Sequence, residues 1–356
     1  MVSIIECAGT PHEIGFAHGS KAAAQVASSI EFYKWMFDKF QGLSWSDALI
    51  EAEKFVEPIK IKWPRYYEEM QGLAIGAGVS FLDVVALNVR SEIAFGLFSK
   101  DTSKPMESDG CTSLAWRTTN GKSVISQNWD WMSAQKKNVV VLNIKQIGTE
   151  LPEIKMATEA GMIGKIGFNS LGVGCCMNAI RAKGIDASRM PVHFGSRTIL
   201  ESKSTADAVA KLKKVGIASS IHLLIADPKE AVGLECTSTG FEELRPDKLG
   251  RLCHANNLLA QHPPEVYEPL WLKDSPLRTA RMREIATSDV SSKASFDTIL
   301  DLYKDETTLP GAINRQEAGD SRSATLFNII VDLSAKKGVL SMGRPTEIEE
   351  QITLEF

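Results

Sequence analysis

The chain has 356 residues, 44% of them hydrophobic and 24% charged, with a formal net charge of −4. That length buries one large core or two medium ones. The slight acidity leaves no basic excess to neutralise phosphates, so neither nucleic acid nor an anionic membrane surface is expected as a partner.

A short strand is expected at Ser3–Cys7. TPHE at Thr10–Glu13 is a capping box with Pro11 at the first helical position. Ile14, Ala17, His18, Ala22, Val26, Ile30, Phe32 and Phe37 then follow a broken helical period. SWSD at Ser44–Asp47 starts a second helix, and a third follows Trp63 and Pro64 through RYYEEMQGLAIGAG. SFLD at Ser80–Asp83 opens a fourth, running through VVALNVRSEIAF.

From Cys111 the texture changes. TSLAWRT, SVISQNWDW, NVVVLNIKQI, EIKMATEA and GVGCCMNAI read as strands, β-branched or alternating and separated by turn residues. Helices return at Pro191–Glu201 and Thr205–Val215, followed by the hairpin SSIHLLIADPKEAVGLECTS. Two more helices, Ser275–Thr287 and Ala294–Asp305, precede a final hairpin, ATLFNIIVDLSAKKGVLSMG. Strands, then helices, then strands again imply two stacked sheets with helices outside, an α+β fold.

No run approaches eighteen apolar residues, so no transmembrane helix is expected. The start, MVSIIECAGTPHEIGFAHG, lacks the basic head and apolar run of a secretory leader, and ITLEF is not a peroxisomal tail. Six cysteines occur without a C-x-x-C, and the histidines do not fall at zinc spacing. A reduced, cytoplasmic location with no metal and no resident cofactor is therefore expected. Cys175 and Cys176 are adjacent, face opposite sides of a strand and read as core.

The one polar, Pro-containing break of any length is Ser99–Asp109. It reads either as a domain linker or as a cleavage loop inside one domain. Directly after it stands Gly110-Cys111. A cut between these two would give Cys111 a free α-amine, whose ordinary pKa of roughly 7.7–8.0 suits it to take the thiol proton of the same residue. The same sulfur attacking the Gly110 carbonyl would make the cut, and a glycine there offers no side chain to block it. GFNSLG at Gly167–Gly172 lacks serine-hydrolase spacing, and GVGCCM at Gly172–Met177 lacks the third glycine of a dinucleotide fingerprint.

Longer motifs narrow this. GTPHEIGFAHGS, WPRYYEEMQGLAIGAG, LNVRSEIAFGL, DGCTS, QNWDW, TEAGMIGKIGFNSLGV, HANNLLAQH, DSRSATLFNIIVD and GRPTE run nearly end to end. On them the sequence resembles the fungal acyl-coenzyme A:6-aminopenicillanic acid acyltransferase (isopenicillin N acyltransferase) family of the N-terminal nucleophile hydrolases. The resemblance implies a four-layer αββα sandwich and a self-cleaving precursor. Residues 1–356 would form a single domain made of a helical chain, 1–110, and a strand-rich chain, 111–356, that stay associated after the cut at Gly110–Cys111.

The resemblance also implies roles. Cys111 matches the nucleophile and Asp130 the acid that orients the new amine. Asn256 matches the amide donor of the oxyanion hole. Ser321 and Arg322 match residues needed for processing and site geometry, with Arg322 expected to hold Asp130 or a neighbouring carboxylate. Trp131 and Met132 stand where the family places aromatic residues beside its acyl pocket. The implied activity is acyl transfer through a thioester, from an amide or acyl-CoA co-substrate to an amine or to water. Two alternatives stand beside it: a hydrolase of small N-acyl amines such as β-alanyl amides, and a non-catalytic binding relative.

Overall fold

The computed structural model describes residues 1–96, 110–268, 272–319 and 321–356. The run Ser99–Asp109, read above as linker or cleavage loop, lies outside the described residues. Strand β1 (Ser3–Gly9) leads into α1 (Pro11–Lys21), and the Thr10–Glu13 box is formed in both directions. The long helical stripe breaks at Ala22, where α2 (Ala23–Gln41) begins. Then come α3 (Trp45–Lys62), α4 (Pro64–Ala77) and α5 (Phe81–Asn88), with Ser44 and Ser80 as side-chain caps of α3 and α5.

α5 stops earlier than its sequence pattern predicts. The Asn88 amide donates to Val84 O and Gly161 O and accepts from Ile163 N, docking the helix end onto the 161–163 turn. A short π-helical stretch, Glu92–Gly96, follows. α1 crosses α4 backbone to backbone. A Cβ on Gly15 or Gly19 would strike the Glu69 or Leu73 carbonyl, and one on Gly72 or Gly76 the His12 or Phe16 carbonyl.

The rest of the chain supplies β2 (Gly110–Arg117), β3 (Ser123–Met132), β4 (Val139–Gln146), β5 (Ile154–Glu159), β6 (Ile166–Asn169) and β7 (Gly174–Ala179). Helices α6 (Val192–Leu200) and α7 (Thr205–Val215) precede β8 (Ile221–Ala226), β9 (Ala231–Cys236), β10 (Phe241–Leu244) and β11 (Arg251–His254). Last come α8 (Ser275–Ile285), α9 (Ser288–Ser292), α10 (Phe296–Tyr303), β12 (Ser323–Asp332), β13 (Lys337–Arg344) and β14 (Glu347–Glu355).

The strands form two sheets, ordered β1-β4-β5-β6-β7-β8-β9-β10 and β11-β2-β3-β12-β13-β14. Among the described residues the named strands pair antiparallel except β1 with β4, which run parallel over seven residue pairs. α1, α6 and α7 cover the eight-stranded sheet; α8 and α10 cover the six-stranded one. The layers are therefore αββα, the expected sandwich.

Strand parity sorts the six-stranded sheet's side chains between two cores. Cys111, Ala115, Ile125, Trp129, Trp131, Phe327, Ile329 and Val331 join the core between the sheets. Leu114, Trp116, Val124 and Ile330 face α8 and α10, against Met282, Ile299 and Tyr303. Burial on both faces explains why these strands read as nearly continuous apolar runs.

Candidate active site

Gly110 and Cys111 open β2, opposite Asp130 and Trp129 of β3. Parity turns Cys111 toward the inter-sheet core. Gly110 shares a face with the Asp130 carboxylate. A Cβ on Gly110 would lie 2.9 Å from Asp130 Oδ2 and 2.8 Å from Arg315 Nε, so the glycine is required by space. Its neighbour in the ladder is equally constrained. The β3–β12 register shifts between Thr325 and Phe327, a bulge that puts Thr325 opposite Asp130 and Phe327 opposite Trp129. Thr325 Oγ1 donates to Asp130 Oδ1 at 2.7 Å.

Asp130 is wholly buried, and burial pushes its carboxyl above the ordinary range, with Arg315 and Arg278 pulling back. Its ion pair is with Arg315, Nε to Oδ2 at 3.4 Å. Arg322, expected in that place, is exposed, and no ion pair among the described residues joins it to a carboxylate. The correction has a simple cause. Arg322 sits one residue before β12, where the chain is still at the surface; Arg315, ten residues before Thr325, is folded back beneath the sheet and is 2% exposed.

Arg315 also pairs with Asp274, which takes Arg278 Nε at 2.8 Å. Burial works to raise the Asp274 carboxyl, but the two guanidiniums outweigh it and hold it below the usual value. Arg278, on the first turn of α8, donates to Cys111 O at 2.6 Å, to Thr112 Oγ1 at 3.1 Å and to Asn256 Oδ1 at 2.9 Å. Asn256 Oδ1 in turn accepts the Cys111 backbone N–H at 2.8 Å. Two donors converge on one atom, so that atom is the amide oxygen. Asn256 Nδ2 spends one hydrogen on Ala179 O, 3.0 Å away. The amide thus meets Cys111 first as an acceptor, where the family resemblance implies a donor.

A hollow of about 20 Å³ adjoins Cys111, walled by Arg90, Ser91, Trp129, Trp131, Lys165, Met177, Ala179 and Ile221. It holds roughly one water. Behind it Lys165, 1% exposed, lies 3.5 Å from the Trp129 ring centre and pairs with Glu159. Burial brings the Lys165 ammonium down to about 8, with Glu159 opposing. Arg90 Nη2 shares the same carboxylate at 2.9 Å. A separate outer cleft of about 860 Å³ is lined by Phe32, Trp35, Met132, Lys137, Ser321 and Arg322, among others. Phe32 packs 6.4 Å from Trp131, so this aromatic pair stands between cleft and hollow.

The sequence-derived residues therefore fall into three places. Cys111 and Trp131 meet at the hollow, with Asn256 bonded to the Cys111 nitrogen and to Ala179 O beside it; Asp130 lies under Gly110; Met132, Ser321 and Arg322 line the cleft. Arg278, Asp274 and Arg315 were missed. The i,i+4 spacing of Asp274 and Arg278 was the one available signal. Among the described residues no His, Cys, Asp or Glu group is arranged to hold a metal.

The model of a family described as acyl-coenzyme A:6-aminopenicillanic acid acyl-transferase matches residues 116–347. The chain belongs to this family. Within the acyltransferase family, it is 36% identical over 354 residues to the acyl-coenzyme A:6-aminopenicillanic-acid-acyltransferase 40 kDa form of Emericella nidulans, covering 99% of this chain and 96% of that one. A beta-alanyl-dopamine/carcinine hydrolase of Drosophila melanogaster is 22% identical over 246 residues, 64% of this chain and 63% of its own. Among solved structures, a conjugated bile acid hydrolase variant from Clostridium perfringens superposes with a TM-score of 0.48 at 13% identity, covering 69% of this chain and 92% of that one. Penicillin V acylase from Agrobacterium tumefaciens gives 0.44 at 12% identity, covering 65% and 83%. The acyltransferase family accounts for the end-to-end run of motifs, and the enzyme class follows from it: acyl transfer at amide or thioester carbonyls.

Proposed function

We propose that this acyltransferase-family enzyme cuts itself between Gly110 and Cys111 and then works through the Cys111 thiol. The observation that carries the reading is the 2.8 Å bond from Cys111 N to Asn256 Oδ1, with Arg278 holding both Asn256 and the Cys111 carbonyl. In the precursor this fixes the peptide to be broken. After the cut the same bond orients the new α-amine.

In the precursor, Cys111 Sγ adds to the Gly110 carbonyl, its proton passes to the Cys111 nitrogen and the C–N bond breaks, leaving a thioester and a free Cys111 amine. Water hydrolyses the thioester, releasing the Gly110 carboxylate and the free thiol. In turnover, the α-amine takes the Sγ proton as sulfur adds to the substrate carbonyl. The second Nδ2 hydrogen of Asn256 is available to the developing oxyanion, a contact that in other hydrolases is worth about 3 kcal/mol. The intermediate collapses, the leaving group takes the proton back from the α-ammonium, and an acyl-thioester remains. An amine or water, deprotonated by the same α-amine, completes the reaction. Acyl-CoA or a small amide would be the acyl donor.

Chains 1–110 and 111–356 would remain together. The parallel β1–β4 pairing, the Arg197–Glu69 pair at 2.9 Å and the Arg90–Glu159 pair support this. Six free, buried cysteines fit a reducing, cytoplasmic setting. Intact mass of the purified chain tests the cut. Wild type should appear as two pieces and Cys111→Ala as one; an uncut wild type refutes the reading.

The 22% identity to a beta-alanyl-dopamine/carcinine hydrolase supports a second reading, hydrolysis of small N-acyl amines such as β-alanyl amides. Acyl-CoA plus amine, assayed against simple N-acyl amides, separates the two.

A further inference from the structure

Glu235 lies on β9, fully buried, and is in neither the processing nor the acyl-transfer chemistry. Its carboxylate accepts four hydrogen bonds from one short piece of chain. Oε1 takes His254 Nε2 at 2.8 Å and Leu259 N at 2.6 Å. Oε2 takes Ala260 N at 3.0 Å and His262 Nε2 at 2.9 Å. These donors bracket Asn256, two residues before it and three to six after.

The bracket is stiffened from the side. His254 Nδ1 bonds Ala255 O at 2.8 Å, and its ring stacks on His222 with centroids 3.5 Å apart. His222 Nδ1 bonds Asn178 Oδ1 at 2.9 Å, and that atom also accepts Ser113 Oγ at 2.7 Å. Ser113 faces His254 in the β2–β11 register. The polar chain therefore begins at the loop carrying Asn256, crosses between the sheets and ends two residues from Cys111. The Glu235 end of this network is fully bonded, which fixes the geometry of the loop; at its far end His222 Nε2 and Asn178 Nδ2 have no hydrogen-bond partner among the described residues.

We propose that Glu235 is a positioning residue: its carboxylate holds the 254–262 loop so that the Asn256 amide stays registered on the Cys111 nitrogen. The proposal rests on Cys111 being the nucleophile. Charge on Glu235 matters because each oxygen serves two donors. A glutamine would present an NH2 to one pair of donors and release it.

The test compares wild type, Glu235→Gln, Glu235→Asp and His262→Ala. Three quantities are read: the rate of self-cleavage by intact mass, alkylation of Cys111 by iodoacetamide, and kcat and KM on a chromogenic N-acyl-4-nitroanilide. Glu235→Gln should lower cleavage and kcat about 10- to 100-fold with KM within three-fold, the size expected for an ångström-scale misplacement. Glu235→Asp, which keeps the carboxylate, should recover part of kcat. A folded, cleaved Glu235→Gln with wild-type kcat overturns the proposal, as does a loss seen only in KM. If Glu235→Gln does not fold, His262→Ala decides. It removes one of the four bonds at the loop's outer end and should lower kcat two- to five-fold; wild-type kcat there overturns the proposal. A wild type that neither cleaves nor alkylates at Cys111 instead refutes the nucleophile reading on which this depends.

Discussion

Gly110→Ala is the most direct probe of the cleavage geometry. The added methyl would sit 2.8 Å from Arg315 Nε, 2.9 Å from Arg315 Nη2 and 2.9 Å from Asp130 Oδ2. All three distances fall well short of van der Waals contact, so both side chains must retreat by about half an ångström. Neither is free to do so. Asp130 is wholly buried and held by Thr325, and Arg315 is tied to Asp274 as well as Asp130. Overpacking of this kind costs about 1–3 kcal/mol. If the strain falls on the cleavage transition state, at about 1.4 kcal/mol per tenfold, self-cleavage slows roughly 5- to 150-fold. The assay is a time course of intact mass on freshly purified precursor, with a melting curve to confirm folding. Cleavage within two-fold of wild type would refute the claim that glycine is needed there for space.

Arg315→Leu should abolish self-cleavage while Arg322→Leu leaves it within about three-fold, since only Arg315 touches Asp130; equal loss in both would restore Arg322 to the role first expected of it. Glu159→Gln leaves Arg90 and Lys165 buried without their shared carboxylate and should destabilise the fold by about 3–5 kcal/mol in denaturant titration. Stability should also follow pH in a particular shape. Burial, abetted by Arg197 for His18 and by Arg90 and Lys165 for His193, brings both imidazoles down to about 3 from 6.5. The unfolded chain then binds the extra protons, so their contribution is full above pH 6.5 and declines below it, at about 1.4 kcal/mol per pH unit each. Glu92 and Glu268 are raised by burial to about 7 from 4.5, which favours the fold in the opposite direction between those values. The two effects offset between pH 4.5 and 6.5. Below 4.5 the raised carboxylates are protonated in both states and cease to offset, so melting temperature should be nearly flat from pH 6.5 to about 5 and fall steeply beneath. A maximum near pH 4 would contradict these shifts.

The sandwich was legible because its signals are local. Thr10, Ser44 and Ser80 announce helix starts in the sequence and act as caps in the structure. Strands buried on both faces are apolar enough to stand out. What stayed hidden depends on tertiary contact. The break at Ala22 has no proline or side-chain cap to mark it. β14, exposed at most positions, carries little apolar patterning, and four-residue β6, β10 and β11 exist because their neighbours do. The motif matches point to Cys111, Asp130 and Asn256, which the structure places beside one another, whereas no sequence motif singles out Arg278 or Arg315. Their burial, at 0% and 2% exposure, is created only when α8 and the segment before β12 close over the start of β2.

The parallel edge formed by β1 and β4 alters what unfolding means for this enzyme. Before the proposed cut, β1 reaches its place along a continuous chain, at the effective concentration that a tether provides. Afterwards the same seven residue pairs join two separate molecules. If the proposed cut occurs, folding would change from a unimolecular event to a bimolecular one at that moment. A mature enzyme driven apart by heat would reassemble at a rate set by dilution, and its working durability would be a lifetime governed by the unfolding barrier.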